Sequence, residues 1–404
     1  MSVQKGYLSD YFQAVAAKRL SAVEINGLKS NQHEFNGIAK FKQIFGESKR
    51  SFNATFIYLG ENEDDLLVSN GTLTWYDARD RHPTRSEYRL YYQTVDIFEN
   101  VCENDLLLIA KINDENLLVV ISEYGSTSEN QLNWLFGLSS YTQQEDLTYK
   151  EISPSSTTQL NFIANSILEQ LGIKTSTPVL EDKYIDCLKE KFPQGFPTTK
   201  KFSQFSRELF DPFDCTKDPD SALLTFMEQE EVLFRVFEEH LFKDRLEKGF
   251  DSINAFISVS LSVQNRRKSR AGHAFENHLE TIFSAYKLQF DRNKITEMNF
   301  KPDFIFPGLI AYHNSNFPVS KLKMLAVKTS CKDRWRQVLS EAQRIKIKHL
   351  ITLEPGISLS QTNQMKLSDL QLVVPNPIQS SYLPEQQSYL MSLSEFLVQV
   401  RSTQ

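Results

Sequence analysis

The apolar residues of this chain change their period partway along it, and that change limits the folds it can take. Up to about residue 150 they fall in short runs bounded by polar turns: 53–59 (NATFIYL), 66–69, 72–76, 88–93 (YRLYYQ), 105–112 (DLLLIAKI) and 116–122 (NLLVVIS). Such runs predict β-strands, and the Asn70-Gly71 pair between two of them predicts a tight hairpin turn. One early helix, over about residues 8–19, is expected before them. From about residue 180 the spacing becomes helical, over 221–243, 252–261 and 271–287. Apolar strands at 304–306, 322–327, 349–353 and 370–374 then follow, with a helix over 333–345 among them. The first pattern suits an all-β barrel or sandwich, and the second a mixed α/β layer. Between them, SPSSTT (153–158) and TSTP (175–178) bracket an amphipathic stretch at 160–171, which reads as a linker containing a helix. The 404 residues therefore divide into 1–150, a linker at 151–178, and 179–404.

Composition excludes several classes. Hydrophobic residues make up 40% and charged residues 24%, enough for two packed cores, and the net charge of −6 excludes a wholesale polycation. No apolar run approaches the roughly 18–20 residues that span a bilayer. The N-terminal stretch MSVQKGYLSDYFQAVAAKRLSA carries charges where a secretory leader has its apolar core, so a cytoplasmic protein without a membrane partner is expected. Cys102, Cys187, Cys215 and Cys331 form no CxxC pair, which argues against a disulfide framework or structural zinc and fits a reducing compartment.

Chemistry concentrates around Lys301-Pro302-Asp303, the apolar strand LKMLAVK ending at Lys328, and Glu341. An acid at a strand start, with a lysine ending the next strand, is the skeleton of a metal-dependent phosphodiesterase site. A hard cation such as Mg2+ prefers carboxylate oxygens, neutralises the phosphate and polarises a water. A lysine beside it can orient the water and stabilise developing charge. The second acid usually stands two residues before the lysine, but that position is Ala326, so Glu341, on the expected 333–345 helix, takes its place. Asp303 and Glu341 are the expected metal ligands, and Glu276 is a third candidate carboxylate. Taken alone, Pro-Asp followed by a lysine is a common turn with solvated charges.

Local charge points to nucleic acid. Residues 328–348 hold seven Lys/Arg against Asp333 and Glu341, and 266–270 (RRKSR) hold four positives and no acid. Arg266, Arg267, Lys268, Arg270 and Arg336 are candidate contacts to a DNA backbone. Lys332, Asp333 and Arg334 can read base edges: arginine or lysine donates to guanine, and aspartate accepts from cytosine, a combination that suits adjacent G·C pairs. A plain helix-capping role for Asp333 is compatible with this.

At NRRKSRAG (265–272), KPDFIFP (301–307) and MLAVKTSCKDRWRQ (324–337) the sequence resembles the catalytic domain of EcoRII-type type II restriction endonucleases. The resemblance implies a PD-(D/E)XK nuclease fold at 179–404, with Asp303, Lys328 and Glu341 catalytic and Glu276 in support, and Lys332, Asp333 and Arg334 reading CC/GG half-sites. AKRLSA (17–22), Gln32-His33-Glu34 and RDRHPTRSEYR (79–89) resemble the same family's effector domain, a DNA-binding pseudobarrel. That implies one arm carrying Lys18, Arg19 and His33, and another carrying Arg79, Arg81, Arg85, Glu87 and Arg89. The resemblance further implies Mg2+-dependent double-strand cleavage at a palindromic site by a homodimer. It implies a second copy of double-stranded DNA on the effector domain, which blocks the catalytic cleft until that copy binds, and a cognate cytosine DNA methyltransferase in the same system. In the family's base-flipping pocket an arginine is followed one turn later by an aromatic residue. Here Arg235 is followed by Glu239, which leaves the central base open. The alternatives are a DNA-binding regulator with a vestigial nuclease site and a nuclease gated by cytosine modification.

Overall fold

The structure is a computed structural model and describes residues 7–25, 33–35, 41–62, 65–93, 95–138, 148–153, 162–173, 182–210, 213–331 and 334–404. Two sheets organise it. The N-terminal one has eight strands: β1 (Ala14–Arg19), β2 (Glu34–Phe35), β3 (Arg50–Leu59), β4 (Leu66–Asp77), β5 (Tyr88–Tyr92), β6 (Leu106–Lys111), β7 (Asn116–Ser122) and β8 (Thr148–Glu151). Their order is β2-β5-β4-β3-β7-β6-β1-β8, antiparallel except for the parallel β3–β7 pair. Alternation sorts the side chains. Phe52, Ala54 and Phe56 of β3 enter one core, and Ile57 enters another on the opposite face. Phe35 from β2 and Ala14 and Ala16 from β1 share the first core, so the sheet curls enough for strands far apart in its order to meet. The opposite face is covered by the helices Thr127–Phe136 and Phe162–Gln170, through Leu132, Leu135, Ile167 and Leu168.

Two expectations for this half are corrected. Residues 14–19 form strand β1 rather than the second half of a helix, with only a 3-10 turn at Leu8–Asp10. The helix-favouring run AVAAKR is paired on both sides, with β6 and β8, and sheet burial outweighs intrinsic propensity there. Asn70-Gly71 is no turn either, because both residues lie inside β4, opposite Thr55 and Ala54. A Cβ on Gly71 would stand 3.1 Å from Phe56 and 3.2 Å from Val95, so this glycine permits close packing.

The C-terminal sheet has five strands: β9 (Asp291–Arg292), β10 (Phe304–Phe306), β11 (Lys323–Lys328), β12 (Lys348–Thr352) and β13 (Leu370–Val373), ordered β13-β12-β11-β10-β9. β9–β10 and β10–β11 are antiparallel, and β11–β12 and β12–β13 are parallel. This mixed sheet with flanking helices matches the expected α/β class. Two long helices run beside it, Pro219–Lys248 and Ile253–Ala285, started by Asp218 and Ser252, whose side chains accept from Ser221 N and Ala255 N. The expected break between 261 and 271 is absent: the basic segment and Gly272 sit inside one continuous helix, whose inner face (Ala274, Phe275, Leu279, Ile282, Phe283) packs in the core.

The expected 333–345 helix shrinks to one turn, Trp335–Val338. Ala342 takes a left-handed φ of 46°, which ends any helical continuation. Trp335, Val338, Ala342 and Ile345 are nevertheless all buried, as their spacing implied. Glu341 consequently lies in the turn after the helix rather than on it.

Buried Asp220 ties the C-terminal helix Leu393–Arg401 to the helix Pro219–Lys248. It accepts from Asn376 N (3.1 Å), Leu393 N (2.8 Å) and Ser394 N (2.9 Å), and from the Ser394 hydroxyl. Asp220→Ala orphans these buried donors and should lower stability by about 3 kcal/mol, read from urea unfolding; an unchanged midpoint would show the contacts to be solvated.

Candidate active site and nucleic-acid interface

Antiparallel pairing of β10 and β11 places Phe304 opposite Leu325, so Asp303, just before β10, faces the C-terminal end of β11. Its Oδ2 accepts from the Val327 amide at 2.7 Å and lies 3.5 Å from Lys328 Nζ. No donor among the described residues reaches its Oδ1. Burial pushes the Asp303 carboxyl above its usual range; Lys328 and the Val327 amide oppose this, and the Glu276 charge adds to it. Ala326, fully buried, lies on the same face of β11 as Lys328. No carboxylate stands at that position; Glu341, whose backbone amide donates to Val338 O at 3.1 Å, lies close enough to Asp303 and Lys328 to feel both charges. Burial and the neighbouring Asp303 push its pKa up to about 7, against the pull of Lys328 and Lys348. Its Oε2 is buried without a hydrogen-bond partner among the described residues.

The structure therefore brings together Asp303, Lys328 and Glu341. A buried carboxylate oxygen with no donor among the described residues, beside a second acid and an ammonium group, is an arrangement that a divalent cation satisfies. Among the described residues no group of three or more His, Cys, Asp and Glu side chains could hold a metal ion, so the fit rests on two acids. Glu276 stands apart from them in a separate ion pair. Its Oε2 accepts from Arg292 Nε (3.0 Å), Arg292 Nη2 (2.9 Å) and Asn293 Nδ2 (2.9 Å).

The basic residues separate into two groups. Lys268 and Arg267 are exposed on the helix Ile253–Ala285, although Arg267 also pairs with Glu238. Arg266 lies over the rings of Phe196 and Phe242. Arg270 is corrected outright: it is 5% exposed, lies over Phe234, and pairs with Glu231 and with Glu230 at 3.5 Å. It holds two helices together and cannot reach a phosphate. In the second patch Arg334, Arg336 and Lys346 are exposed, and Arg336 stacks on Trp335 and donates to Gln364. Arg344 instead binds the carbonyls of Tyr312, Asn314 and Phe317, and buried Lys348 donates to Ile345 O at 2.9 Å. Lys332 and Asp333 lie outside the described residues.

Sequence reasoning missed the contacts that hold the chain at Cys331. Glu354 accepts from Cys331 N, and its carbonyl accepts from Tyr382. Arg235 forms ion pairs with Glu231 and Glu169, and Glu239 is exposed.

On the N-terminal sheet, Lys18 pairs with buried Glu24. Arg19 forks onto Glu129 and lies over Tyr124. His33 packs edge-on against Tyr91 and Tyr92. After β4, Arg79, Arg81 and Arg85 are exposed, while Glu87 bridges Arg79 and Arg89, and Arg89 continues to Glu34 at 2.6 Å. Glu87 is thus committed to ordering arginines within the loop.

Residues 234–397 match the family described as EcoRII C terminal. Over 230 residues the chain is 41% identical to the type II restriction enzyme EcoRII of Escherichia coli, covering 57% of this chain and 56% of that protein. Over 175 residues it is 25% identical to the type II restriction enzyme SsoII of Shigella sonnei, covering 38% and 51%. The chain spans about half the length of these curated relatives. Among solved structures, metal-depleted Ecl18kI with uncleaved, modified DNA aligns at a TM-score of 0.44 and 18% identity, covering 57% of this chain and 85% of that one. The complex of restriction endonuclease PspGI with substrate DNA aligns at 0.43 and 17%, covering 52% and 93%.

The raised Glu341 pKa has a consequence for stability. The unfolded carboxyl ionises near 4.5 and the folded one near 7, so the folded state binds more protons between those values and its stability falls as pH rises through that window. Glu341→Gln should therefore raise the melting temperature of the metal-free protein at pH 8 and change it little at pH 4. An equal shift at both pH values would remove the buried charge from the account.

Proposed function

We propose that this EcoRII-like chain is a type II restriction endonuclease that makes sequence-specific double-strand cuts at a CC/GG-containing palindrome by Mg2+-dependent phosphodiester hydrolysis. The observation that carries the reading is the buried oxygen of Glu341, unpartnered among the described residues, beside Asp303 and Lys328. Asp303 and Glu341 would hold the cation, which when bound supplies charge neutralisation and a polarised water. Lys328 is tethered by Asp303, so its ammonium is held where it can orient a water and stabilise charge developing on the phosphate. Because Val327 N–H and Lys328 both occupy Oδ2 of Asp303, its other oxygen is available. Arg334, with Lys332 and Asp333, reads bases. Arg266, Arg267, Lys268 and Arg336 stay as phosphate contacts, and Arg270 does not.

Cutting both strands of a palindrome calls for two-fold symmetry, hence a homodimer. In support, Ile253, Phe256, Ile257 and Leu261 expose an apolar stripe on a helix that carries no charge from Ile253 to Asn265, so two copies of that face would meet without repulsion. Residues 1–150 act as a pseudobarrel effector domain that binds a second DNA copy through Lys18, Arg19, His33, Arg79, Arg81, Arg85 and Arg89, with Glu87 ordering the loop. Residues 179–404 are the nuclease domain; of the segment 151–178 expected as a linker, Ile152 and the helix Phe162–Gln170 instead pack into the core of the N-terminal sheet. Glu61 supports a docked effector domain. It accepts from Thr127 N at 2.7 Å, from Ser358 Oγ at 2.7 Å and from Gln361, while Gln131 and Asn130 donate to Pro355 O and Gly356 O. A cytosine methyltransferase that protects the same site would be the partner enzyme.

Incubating plasmid with the protein tests this reading. Discrete fragments are expected with Mg2+ and none with EDTA, and deletion of residues 1–175 should speed the cutting of single-site DNA. Asp303→Ala should abolish cleavage while leaving specific binding largely intact. A gel shift without cutting under any metal would instead favour a DNA-binding regulator, and cutting only of methylated plasmid a modification-gated enzyme.

A further inference from the structure

Glu276 is close enough to Asp303 for its charge to be felt there, and the geometry around it is asymmetric. All three of its donors fall on one oxygen, Oε2, and none among the described residues reaches Oε1. The donors come from two consecutive residues. Arg292 also donates from Nη1 to Asn277 Oδ1 at 2.8 Å and to Glu280 Oε2 at 2.6 Å, so its guanidinium is fixed on every edge, with its side chain only 19% exposed. In the sheet Arg292 pairs with Phe304, the residue after Asp303. Asn293 is tied to the same strand through its backbone, which donates to Asp303 O at 3.0 Å. Its φ of 53° lies in the left-handed region, which asparagine tolerates and which aims its amide at Glu276.

We propose that Arg292 and Asn293 are positioning residues that fix Glu276 against the Asp303 strand and compensate its charge beside Asp303, with its second oxygen, which takes no donor among the described residues, left to accept from a water of the cation's shell. The proposal rests on the metal-dependent nuclease reading and adds to it the parts that hold the third acid. Carboxylate pairs of this kind set the orientation and basicity of groups around a metal, and losing one costs about 10–100-fold in metal affinity or activity. A fork of two N–H groups onto one oxygen is a geometry that lysine's single ammonium cannot reproduce. The dipeptide lies in FDRNKIT, about ten residues before Asp303, where no sequence pattern separates it from a solvated turn.

The test uses the full-length protein with Arg292→Lys, Arg292→Gln, Asn293→Gly, Glu276→Gln and the double variant Arg292→Gln/Glu276→Gln. Glycine at 293 keeps the left-handed backbone and the N–H to Asp303 and removes only the amide, so it remains informative if Arg292→Gln folds poorly. Calorimetric titration with Ca2+ in the presence of cognate DNA reads metal affinity without cleavage, and Mg2+-dependent cutting reads turnover. Each of the three positioning variants should weaken Ca2+ binding and lower kcat by about tenfold or more, with DNA affinity in EDTA unchanged. In the Glu276→Gln background, Arg292→Gln should add little, because residues acting through one another are not additive. Full additivity in the double variant, or unaltered Ca2+ affinity in both Arg292→Lys and Asn293→Gly, overturns the positioning role while the wild type still cuts. A wild type that neither binds Ca2+ nor cuts overturns the nuclease reading and this inference with it.

Discussion

The contact on which the site depends is the one between Asp303 and the end of β11. One oxygen of that carboxylate takes the Val327 amide and the Lys328 ammonium. This fixes an acid of one strand and a base of the next in a single register, set by the antiparallel pairing of β10 with β11. Everything else in the site is arranged around that clamp. β12 runs parallel to β11 and brings Thr352 beside Lys328, the turn after Val338 carries Glu341 back toward both, and Asn293 holds Asp303 from the other side through its carbonyl. Acids crowded in this way repel one another and lose hydration. That accounts for the upward shifts of Asp303 and Glu341, and for why a divalent cation would relieve the site.

The residues of the central trio were legible because their chemistry is local in sequence: an acid entering a strand, a lysine leaving the next, and an acid in the basic stretch beyond. Their scaffolding was less legible. The spacing of Trp335, Val338, Ala342 and Ile345 correctly reports which side chains face the core, yet a helix over all four does not form, because Ala342 adopts a left-handed turn. Apolar periodicity records burial and leaves the hydrogen-bond pattern open. The same gap explains β1, where an alanine-rich run is drawn into a sheet by strands about ninety and one hundred and thirty residues away, which no local window senses. Asn70-Gly71 failed differently, since a glycine required for close approach to Phe56 carries the same letters as a glycine required for a turn.

Charge was the least transferable signal. Composition marked two basic patches, but a guanidinium on a helix can serve a phosphate or a buried glutamate, and only packing decides between them. Arg270 went to Glu230 and Glu231, Arg344 to three carbonyls, and Arg334 and Arg336 to the surface. The support of Glu276 shows the converse: Arg292 and Asn293, unremarked in sequence, hold an acid that the sequence did single out.

The most direct measurement is a crystal of the protein with cognate DNA grown in Mn2+, with anomalous data collected at the manganese edge. The account places a manganese peak between the carboxylates of Asp303 and Glu341, within about 2–2.5 Å of an oxygen of each. A peak bound elsewhere, or a cleavage-competent crystal in which the two carboxylates stay too far apart to share an ion, would contradict it.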